Sequence, residues 1–395
     1  MQPNRNQIQL FSLIAVSMLA HITMGGGRVA ASLYMLHNGH SAMMAGFAYS
    51  AYSLLPALLS LLMGRWIDRV GPRRVMRTSQ VIMVVGLVAP ALWLSLGSVL
   101  LAALVCGFGF ASYMLAANVA VSIMPFQFEG ERVGMLGWLA MGNSVAAVGG
   151  PAVAGYVIDH GGFGAAYAVM AVIVSASLVV SFLVDVPGGV GGPAKARSSG
   201  VSVVRQVFTT PRLLRIYLLA MVVSISFDGY AFMTPVLGHE RGYSATLIGM
   251  TMSSFAVGSF AVRALLPWLS RRFVEWRMMM LAYCLTAAAF FMLPLVPNVY
   301  LHGLLGFCIG LAAGGGQPNI LSLIYRAMPD KAGEGAGLRA MMGNSMGATG
   351  PWIYGSLASL AGAAPVFLGI GVIAAVASWQ SLRGYHLSLR SGTGV

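Results

Sequence analysis

Long apolar runs follow one another along the whole chain, and each is long enough to cross a lipid bilayer as a helix. The hydrocarbon core of a bilayer is about 30 Å thick and requires roughly 20 helical residues per crossing, because lipid offers no partner to a free backbone N–H or C=O. Hydrophobic residues make up 58% of the sequence and charged residues only 8%. The runs predict an all-α membrane protein with twelve transmembrane helices, near residues 8–36, 42–63, 76–96, 99–124, 133–157, 163–184, 213–237, 245–268, 277–296, 299–324, 336–359 and 364–383.

Basic residues lie mainly in alternate loops and in the two tails. Of the 23 Lys and Arg residues, only Arg28, Arg241, Arg263 and Arg339 lie within predicted helices or on the opposite side. Lys and Arg are enriched in the cytoplasmic loops of membrane proteins, so the pattern predicts cytoplasmic termini and a location in the cell (inner) membrane. It also accounts for the net charge of +13 without a nucleic acid as partner.

The chain is predicted to consist of two similar halves joined by a linker. Residues 187–200 are rich in Gly, Pro and Ser, which is typical of a flexible linker. A shift of 200 residues pairs Gly150 with Gly350 and Pro151 with Pro351. Two parallel repeats of this kind place a substrate site between them near the middle of the membrane. The expected organisation is a six-helix half over 1–185, a linker over 186–211 and a second half over 212–395.

The loop after the second predicted helix holds one acidic residue among clustered arginines. Its distinctive positions are Gly64, Asp68, Arg69, Gly71, Arg73 and Arg74. The loop resembles the signature of the major facilitator superfamily, which is Gly, three residues, Asp-Arg, one residue, Gly and a basic run. The resemblance implies twelve helices in two pseudo-symmetric halves, and a loop that latches the halves in the outward-facing state through the start of helix eleven, near residues 335–339.

The residues of this loop also indicate structural roles that do not depend on the family resemblance. Gly64 permits the close approach of a neighbouring helix, and Gly71 permits a tight turn. Asp68 can accept hydrogen bonds from arginines or face a helix N-terminus. The alternative is that the arginines only set the topology.

Predicted helices five and eleven each carry a Gly-Pro pair, Gly150-Pro151 and Gly350-Pro351. Such a pair bends a helix and lets a neighbour approach closely, which suits a moving interface. The stretch 149–155 also resembles a degraded form of the antiporter motif of drug-exporting branches of the superfamily. The sequence leaves both roles open, helix packing and export.

Two charged residues lie deep in predicted helices. Arg28 in the first and Asp228 in the seventh each cost about 2.5–3.5 kcal/mol at mid-membrane unless a partner or water compensates them. The family resemblance implies that helices one, four, seven and ten line the cavity, so both residues are expected to face it. They could pair as a gate at the outer mouth, or form a site in which Arg28 binds a substrate anion and Asp228 exchanges the coupling proton. Arg263 and Arg339 lie nearer the cytoplasmic ends and are expected to snorkel to the interface.

Four polar residues on helices four and ten, Tyr113, Asn118, Gln317 and Asn319, are further candidates for substrate binding. Residues 314–319 form a Gly- and Pro-broken polar stretch, which is tolerated in a membrane only beside a cavity or beside protein. Amides within membrane helices also join one helix to another. Both roles are therefore open for these side chains.

These observations predict a proton-coupled secondary transporter of a small anionic or zwitterionic organic solute, acting as a monomer by alternating access, with export favoured over import. The alternatives are a multidrug efflux antiporter and an uptake symporter for a metabolite or vitamin. The sequence has no nucleophile–base set and no phosphate-binding loop, so no enzymatic activity is expected. The three cysteines have no metal-ligand spacing, and neither a metal nor a cofactor is expected. The expected partners are the solute, protons and the lipid bilayer.

Overall fold

The computed structural model describes residues 5–124, 129–183, 201–328 and 331–390. Within these ranges the chain forms helices and short connections, without a β-strand. The helices are α1 (Arg5–His37), α2 (Ala42–Val70), α3 (Pro72–Leu92), α4 (Leu96–Ser122), α5 (Glu129–Leu183), α6 (Val201–Thr209), α7 (Pro211–Glu240), α8 (Ala245–Arg272), α9 (Glu275–Met292), α10 (Val299–Ala327), α11 (Ala332–Ala361) and α12 (Ala363–Arg390).

The long helices correspond to the twelve predicted membrane crossings. Helix α5 has 55 residues and contains two crossings, because its backbone leaves the helical conformation at Gly162 (φ 79°, ψ 179°). Nine helical stretches of the described residues, including 48 residues of α5, are long and apolar enough to cross a membrane by themselves. Helices α9 and α11 are not among these nine. They complete the set of crossings, and the all-α, twelve-crossing prediction is confirmed.

Short helix α6 replaces part of the predicted linker. Residues 184–200, which contain the Gly-, Pro- and Ser-rich stretch, lie outside the described residues. Residues 201–209 are helical rather than flexible, and α6 packs against α7 and α11. Val203 and Val207, one helical turn apart, are buried there, which explains why these residues form a helix. The linker predicted over 186–211 thus includes a short helix, and the division of the chain at this segment stays a prediction.

The same turn precedes α2 and α8. Gly39 and Gly242 adopt positive φ angles of 75° and 69°, which glycine adopts without a steric penalty. Ser41 and Ser244 then cap their helices with identical backbone angles, φ −63° and ψ 156°. A serine hydroxyl at this position accepts a hydrogen bond from a free N–H of the first turn. Equivalent loops of the two halves therefore share one local structure, as the internal repeat predicted.

The helices pack in two groups. Helices α1 to α5 contact one another, and so do α7 to α12, while the main contacts between the groups join α2 to α11 and α5 to α8. The connections alternate between two ends of the bundle. We call the end with the α1–α2 and α7–α8 turns and Gly162 the closed face, and the end with arginine-rich segments 65–77 and 271–277 the basic face.

The contacts between α2 and α11 and between α5 and α8 are related by the internal repeat, and we call them the two seams. They close the bundle at the closed face. A Cβ atom on Gly46 of α2 would lie 2.2 Å from the carbonyl oxygen of Pro351 of α11. A Cβ atom on Gly249 of α8 would lie at the same distance, 2.2 Å, from the carbonyl oxygen of Pro151 of α5. Only glycine permits backbones to approach this closely. Two further contacts of the same kind are Gly155 on Ala245 and Gly355 on Ala42.

At the end of each seam, a side chain of one group accepts a hydrogen bond from a helix N-terminus of the other. Asp159 accepts hydrogen bonds from the backbone N–H groups of Ala245 (2.9 Å) and Thr246 (2.7 Å), at the start of α8. Ser359, its counterpart in the repeat, accepts one from the N–H of Met43 (2.9 Å), at the start of α2. A carboxylate is stabilised at a helix N-terminus. The closed face is thus held by packed glycines and by capped helix ends.

Candidate substrate cavity

A cavity of about 680 Å³ lies between the two helix groups. Residues of α1, α2, α4 and α5 line one side, and residues of α7, α8, α10 and α11 line the other. Along α4, Gly107 is buried, whereas Leu115 and Asn118, which lie nearer the basic face, are exposed. The cavity therefore opens towards the basic face. At its other end, towards the closed face, it is closed by the two seams.

Of the two α4 residues predicted to line the cavity, Asn118 lines it and Tyr113 does not. Cavity-lining positions recur at 107, 110, 111, 114, 115 and 118, a single face of a helix. Asn118 belongs to this face, and its Nδ2 donates to the carbonyl oxygen of Met114 (2.8 Å). Tyr113 lies on another face and is fully buried among side chains of α1, α3 and α5. The prediction that Tyr113 faces the cavity was wrong.

Of the two α10 residues predicted to line the cavity, one does so. Gln317 lines the cavity, whereas Asn319 does not and is 7% exposed. Residues two positions apart on a helix with 3.6 residues per turn point to nearly opposite sides. The prediction that both amides face the cavity was therefore wrong for Asn319.

Arg28 lies in the lining of the cavity, as the sequence predicted. Its Nη2 donates to the hydroxyl oxygen of Ser53 (2.8 Å) on α2. Its guanidinium carbon lies 4.9 Å from the ring centroid of Tyr49 and 5.9 Å from that of Tyr52. Its Nε is buried and has no hydrogen-bond partner. A hydroxyl and two aromatic rings thus surround the cation, and a cation above a ring face is attracted by the ring quadrupole.

Asp228 lies behind the cavity wall rather than in it. Its side chain is buried, with 8% of the residue exposed. It lies next to α11, since a Cβ atom on Gly347 would be 3.8 Å from Asp228 Oδ2. Among the described residues the carboxylate has no hydrogen bond, and it forms no ion pair with Arg28. The ion-pair gate is therefore not formed here, and the two glycine seams close this end instead.

Arg263 of α8 is a cavity residue that the sequence analysis missed. It lines the cavity, and its Nη1 donates a hydrogen bond to the hydroxyl of Ser144 on α5. The expectation that Arg263 snorkels towards the membrane interface was wrong. Lining positions on α8 recur at 252, 255, 256, 259 and 263, a single face of the helix that carries Arg263.

The arginine-rich loop forms the predicted turn but not a latch. Gly71 has φ 84°, which confirms the need for glycine at that turn. Asp68, Arg69 and Arg74 are exposed, Arg73 is partly buried, and Asp68 has no hydrogen bond or ion pair with a described residue. A Cβ atom on Gly64 would meet nothing within 4 Å. In this conformation Gly64 does not permit a close helix contact, contrary to the prediction.

The two Gly-Pro pairs differ in what their glycines contact. A Cβ atom on Gly150 would lie 2.7 Å from the carbonyl oxygen of Ile22, so Gly150 lets α1 and α5 approach closely. The nearest atoms to a Cβ on Gly350 belong to the ring of Tyr354 in the same helix, at 3.2 Å. The prolines are equivalent, because both present a carbonyl oxygen to a seam glycine. The contacts of both Gly-Pro pairs in this structure are contacts between or within packed helices.

Three solved structures resemble the whole chain. A bacterial homologue of the human lysosomal transporter Spinster, described as inward-facing and unoccupied, is 15% identical, with 99% of this chain and 98% of that chain covered and a TM-score of 0.75. The nucleoside transporter NupG is 14% identical, with coverage of 95% and 99% and a TM-score of 0.77. A POT family transporter in complex with 5-aminolevulinic acid is 13% identical, with coverage of 94% and 95% and a TM-score of 0.75. At such identities these likenesses concern the fold.

The family of the chain is identified by a family model rather than by these structures. No curated protein matched the sequence. The model of the Major Facilitator Superfamily matches residues 13–351, most of the chain. The protein therefore belongs to the Major Facilitator Superfamily and is a multi-pass membrane transporter of that type.

Proposed function

We propose that the protein is a proton-coupled secondary transporter that moves a small anionic or zwitterionic organic solute across the cell membrane by alternating access. The observation that carries the proposal is Arg28. Its guanidinium lines the cavity, and no Asp or Glu of the described residues lines that cavity with it. A cation at this depth costs about 2.5–3.5 kcal/mol unless it is compensated. An anionic group of the solute compensates it directly.

The contacts of Arg28 support a binding role. Ser53 engages one Nη2–H, and the rings of Tyr49 and Tyr52 orient the guanidinium plane. A guanidinium has five N–H donors in a planar fork that matches a carboxylate or phosphate. Several donors are thus left for a ligand. A preoriented arginine with unused donors is well suited to bind an anion from the cavity.

Asp228 is the proposed proton carrier. It is buried beside the cavity, close to α11, and has no hydrogen-bond partner among the described residues. Ionisable residues within membrane helices commonly belong to proton pathways. Proton uptake removes a negative charge from the neighbourhood of Arg28, and proton release restores it. The charge available to hold a solute anion at Arg28 therefore depends on the proton at Asp228.

The seams support alternating access. Glycine contacts on both seams close one end of the cavity, and the cavity opens towards the other end. We propose that the seams separate in the opposite state, in which Asp68 and its arginines latch the basic face to the start of α11. The positive-inside rule supports a cytoplasmic basic face with both termini on that side. The resemblance of residues 149–155 to the antiporter motif supports export, whereas a proton at Asp228 that strengthens anion binding at Arg28 would move proton and anion in the same direction and supports uptake.

A broad exporter of cationic drugs is a weaker proposal. The aromatic lining, which includes Phe110, Phe227 and Phe255, would suit a flat apolar drug. However, Arg28 and Arg263 both line the same cavity, and they repel a cation. Uptake of a metabolite would use the same site in the opposite direction, so transport measured in inside-out and right-side-out vesicles distinguishes it from export.

Replacing Asp228 with Asn tests the proton coupling. We expect Asp228→Asn to retain counterflow of a labelled carboxylate that the wild type transports, because Arg28 is unchanged. Accumulation driven by a pH gradient should be lost, since the amide cannot exchange a proton. Both are measured in proteoliposomes, and Asp228→Glu is the matched control that should recover part of the accumulation. Full pH-driven accumulation by Asp228→Asn would exclude Asp228 as the coupling site.

A further inference from the structure

The cavity contains a second arginine from the opposite helix group. Arg28 belongs to α1 in the first group, and Arg263 belongs to α8 in the second. Both line the same cavity, and each donates a hydrogen bond to a serine of another helix, Arg28 to Ser53 and Arg263 to Ser144. The hydroxyl of Tyr49 also interacts with the guanidinium of Arg28. Each group of helices therefore presents one arginine whose remaining donors are available to a ligand.

The two arginines lie at different depths along the membrane normal. Helix α1 begins at the basic face and α8 begins at the closed face. Arg28 is hydrogen-bonded to Ser53 of α2, and Arg263 to Ser144 of α5. With a rise of 1.5 Å per residue, their positions along the two helices differ in depth by about 13 Å.

The charge in the cavity wall is unbalanced. Arg28 and Arg263 carry two positive charges, whereas no carboxylate of the described residues lines the cavity. Asp228 is buried outside the lining and pairs with neither arginine. Two guanidinium groups in a partly enclosed cavity repel each other and attract anions. A solute with one anionic group would leave one of the two arginines without a counter-charge.

The cavity that holds both arginines also contains a cluster of aromatic side chains. Phe227 and Phe255 contact edge to face with centroids 5.3 Å apart, and Tyr230 stacks on Phe255 at 5.0 Å. Phe110 lines the cavity from α4. Ligand pockets of this kind fix orientation with a few polar groups and hold the body of the ligand by apolar contact. The lining suits a solute with charged ends and an apolar middle.

We infer that the transported solute is an organic dianion with an apolar body, one anionic group bound by Arg28 and the other by Arg263. The inference rests on the proposed function and specifies its substrate class. A dianion of this kind contacts both helix groups at once. Its binding energy therefore contributes to closing the two groups around it, which is the step that transport by alternating access requires.

Binding of matched acids to the purified protein tests the inference. The probes are two pairs, benzoate with terephthalate and hexanoate with adipate, measured by isothermal titration calorimetry in lipid nanodiscs. We expect at least one dicarboxylate to bind the wild type at least tenfold more tightly than its monocarboxylate partner. Arg263→Gln should remove this difference and leave the affinity for the monocarboxylate within about threefold, since Arg28 is intact. Arg271→Gln, an exposed arginine of the same helix, is the control and should bind as the wild type does.

The outcomes separate this inference from the proposed function. If the monocarboxylates bind and the dicarboxylates show no preference in either pair, the dianion assignment is wrong and the anion site stands. If Arg263→Gln weakens both members of a pair equally, Arg263 does not bind the second group. If no acid of either pair binds the wild type, the anion site itself is wrong. The comparison within the wild type does not depend on the folding of a variant, and Arg263→Lys, which keeps the charge, should keep part of the preference.

Discussion

Replacing Arg28 with Gln should reduce the affinity of the cavity for a carboxylate by roughly 10- to 150-fold, which corresponds to about 1.5–3 kcal/mol for a hydrogen bond to a charged group. Gln is shorter and neutral, so it removes both the counter-charge and the forked donors. Ser53 and the two tyrosine rings that surround the guanidinium stay in place. Transport of the same carboxylate into proteoliposomes should fall below detection.

The comparison with other arginine variants makes this result specific. Arg28→Lys retains the positive charge but loses the planar fork, and we expect an affinity between those of the wild type and Arg28→Gln. Arg271→Gln removes an arginine that is exposed at the basic face, and it should leave affinity unchanged. Normal expression with unaltered carboxylate binding in Arg28→Gln would show that the anion lies elsewhere.

A methyl group at Gly249 should shift the protein out of the conformation described here. The Cβ atom of Gly249→Ala would lie 2.2 Å from the carbonyl oxygen of Pro151. Backbone atoms cannot rotate away as a flexible side chain can, so the seam between α5 and α8 must separate. Overpacking of this kind costs about 1–3 kcal/mol, which shifts the balance between the two states by roughly 5- to 150-fold. The state that opens at the closed face should then predominate.

Spin labels at the closed face measure this shift. Asn38 follows α1 and His239 lies near the end of α7; both are exposed and belong to different helix groups. Pulsed electron resonance should give a longer distance between them in Gly249→Ala than in the parent protein. Gly369→Ala is the matched control, because a Cβ atom there meets nothing within 4 Å. An unchanged distance in Gly249→Ala would mean that this seam does not separate during the transport cycle.

The sequence was sufficient for the architecture because the bilayer restricts the choices so strongly. Length and apolar character identify the crossings, and the internal repeat reappears as equivalent contacts, Gly249 on Pro151 and Gly46 on Pro351. Helix α6 was missed because nine residues are too few to show a clear period. Arg28 could be predicted since an arginine at that depth requires a cavity or a partner.

Which way a side chain faces could be predicted less well. Helices α4 and α10 are apolar on nearly all sides, so their sequences do not show which face meets the cavity. Tyr113 and Asn319 were therefore assigned to the wrong side, while Asn118 and Gln317 were assigned correctly. Arg263 was misjudged for another reason. Its position near the basic end of α8 suggested snorkelling, whereas its side chain donates a hydrogen bond across the cavity wall to Ser144 of α5.

Thiol labelling next to Arg28 tests the central claim most directly, namely that one aqueous cavity containing this arginine opens to one side of the membrane at a time. The measurement uses Ser53→Cys in a background without Cys106, Cys284 and Cys308, in oriented vesicles, with a membrane-impermeant thiol reagent. We predict labelling mainly from the basic face, protection by a bound carboxylate, and a change to labelling from the closed face when Gly249→Ala is added. A thiol that stays unlabelled from both faces in both backgrounds would contradict the account.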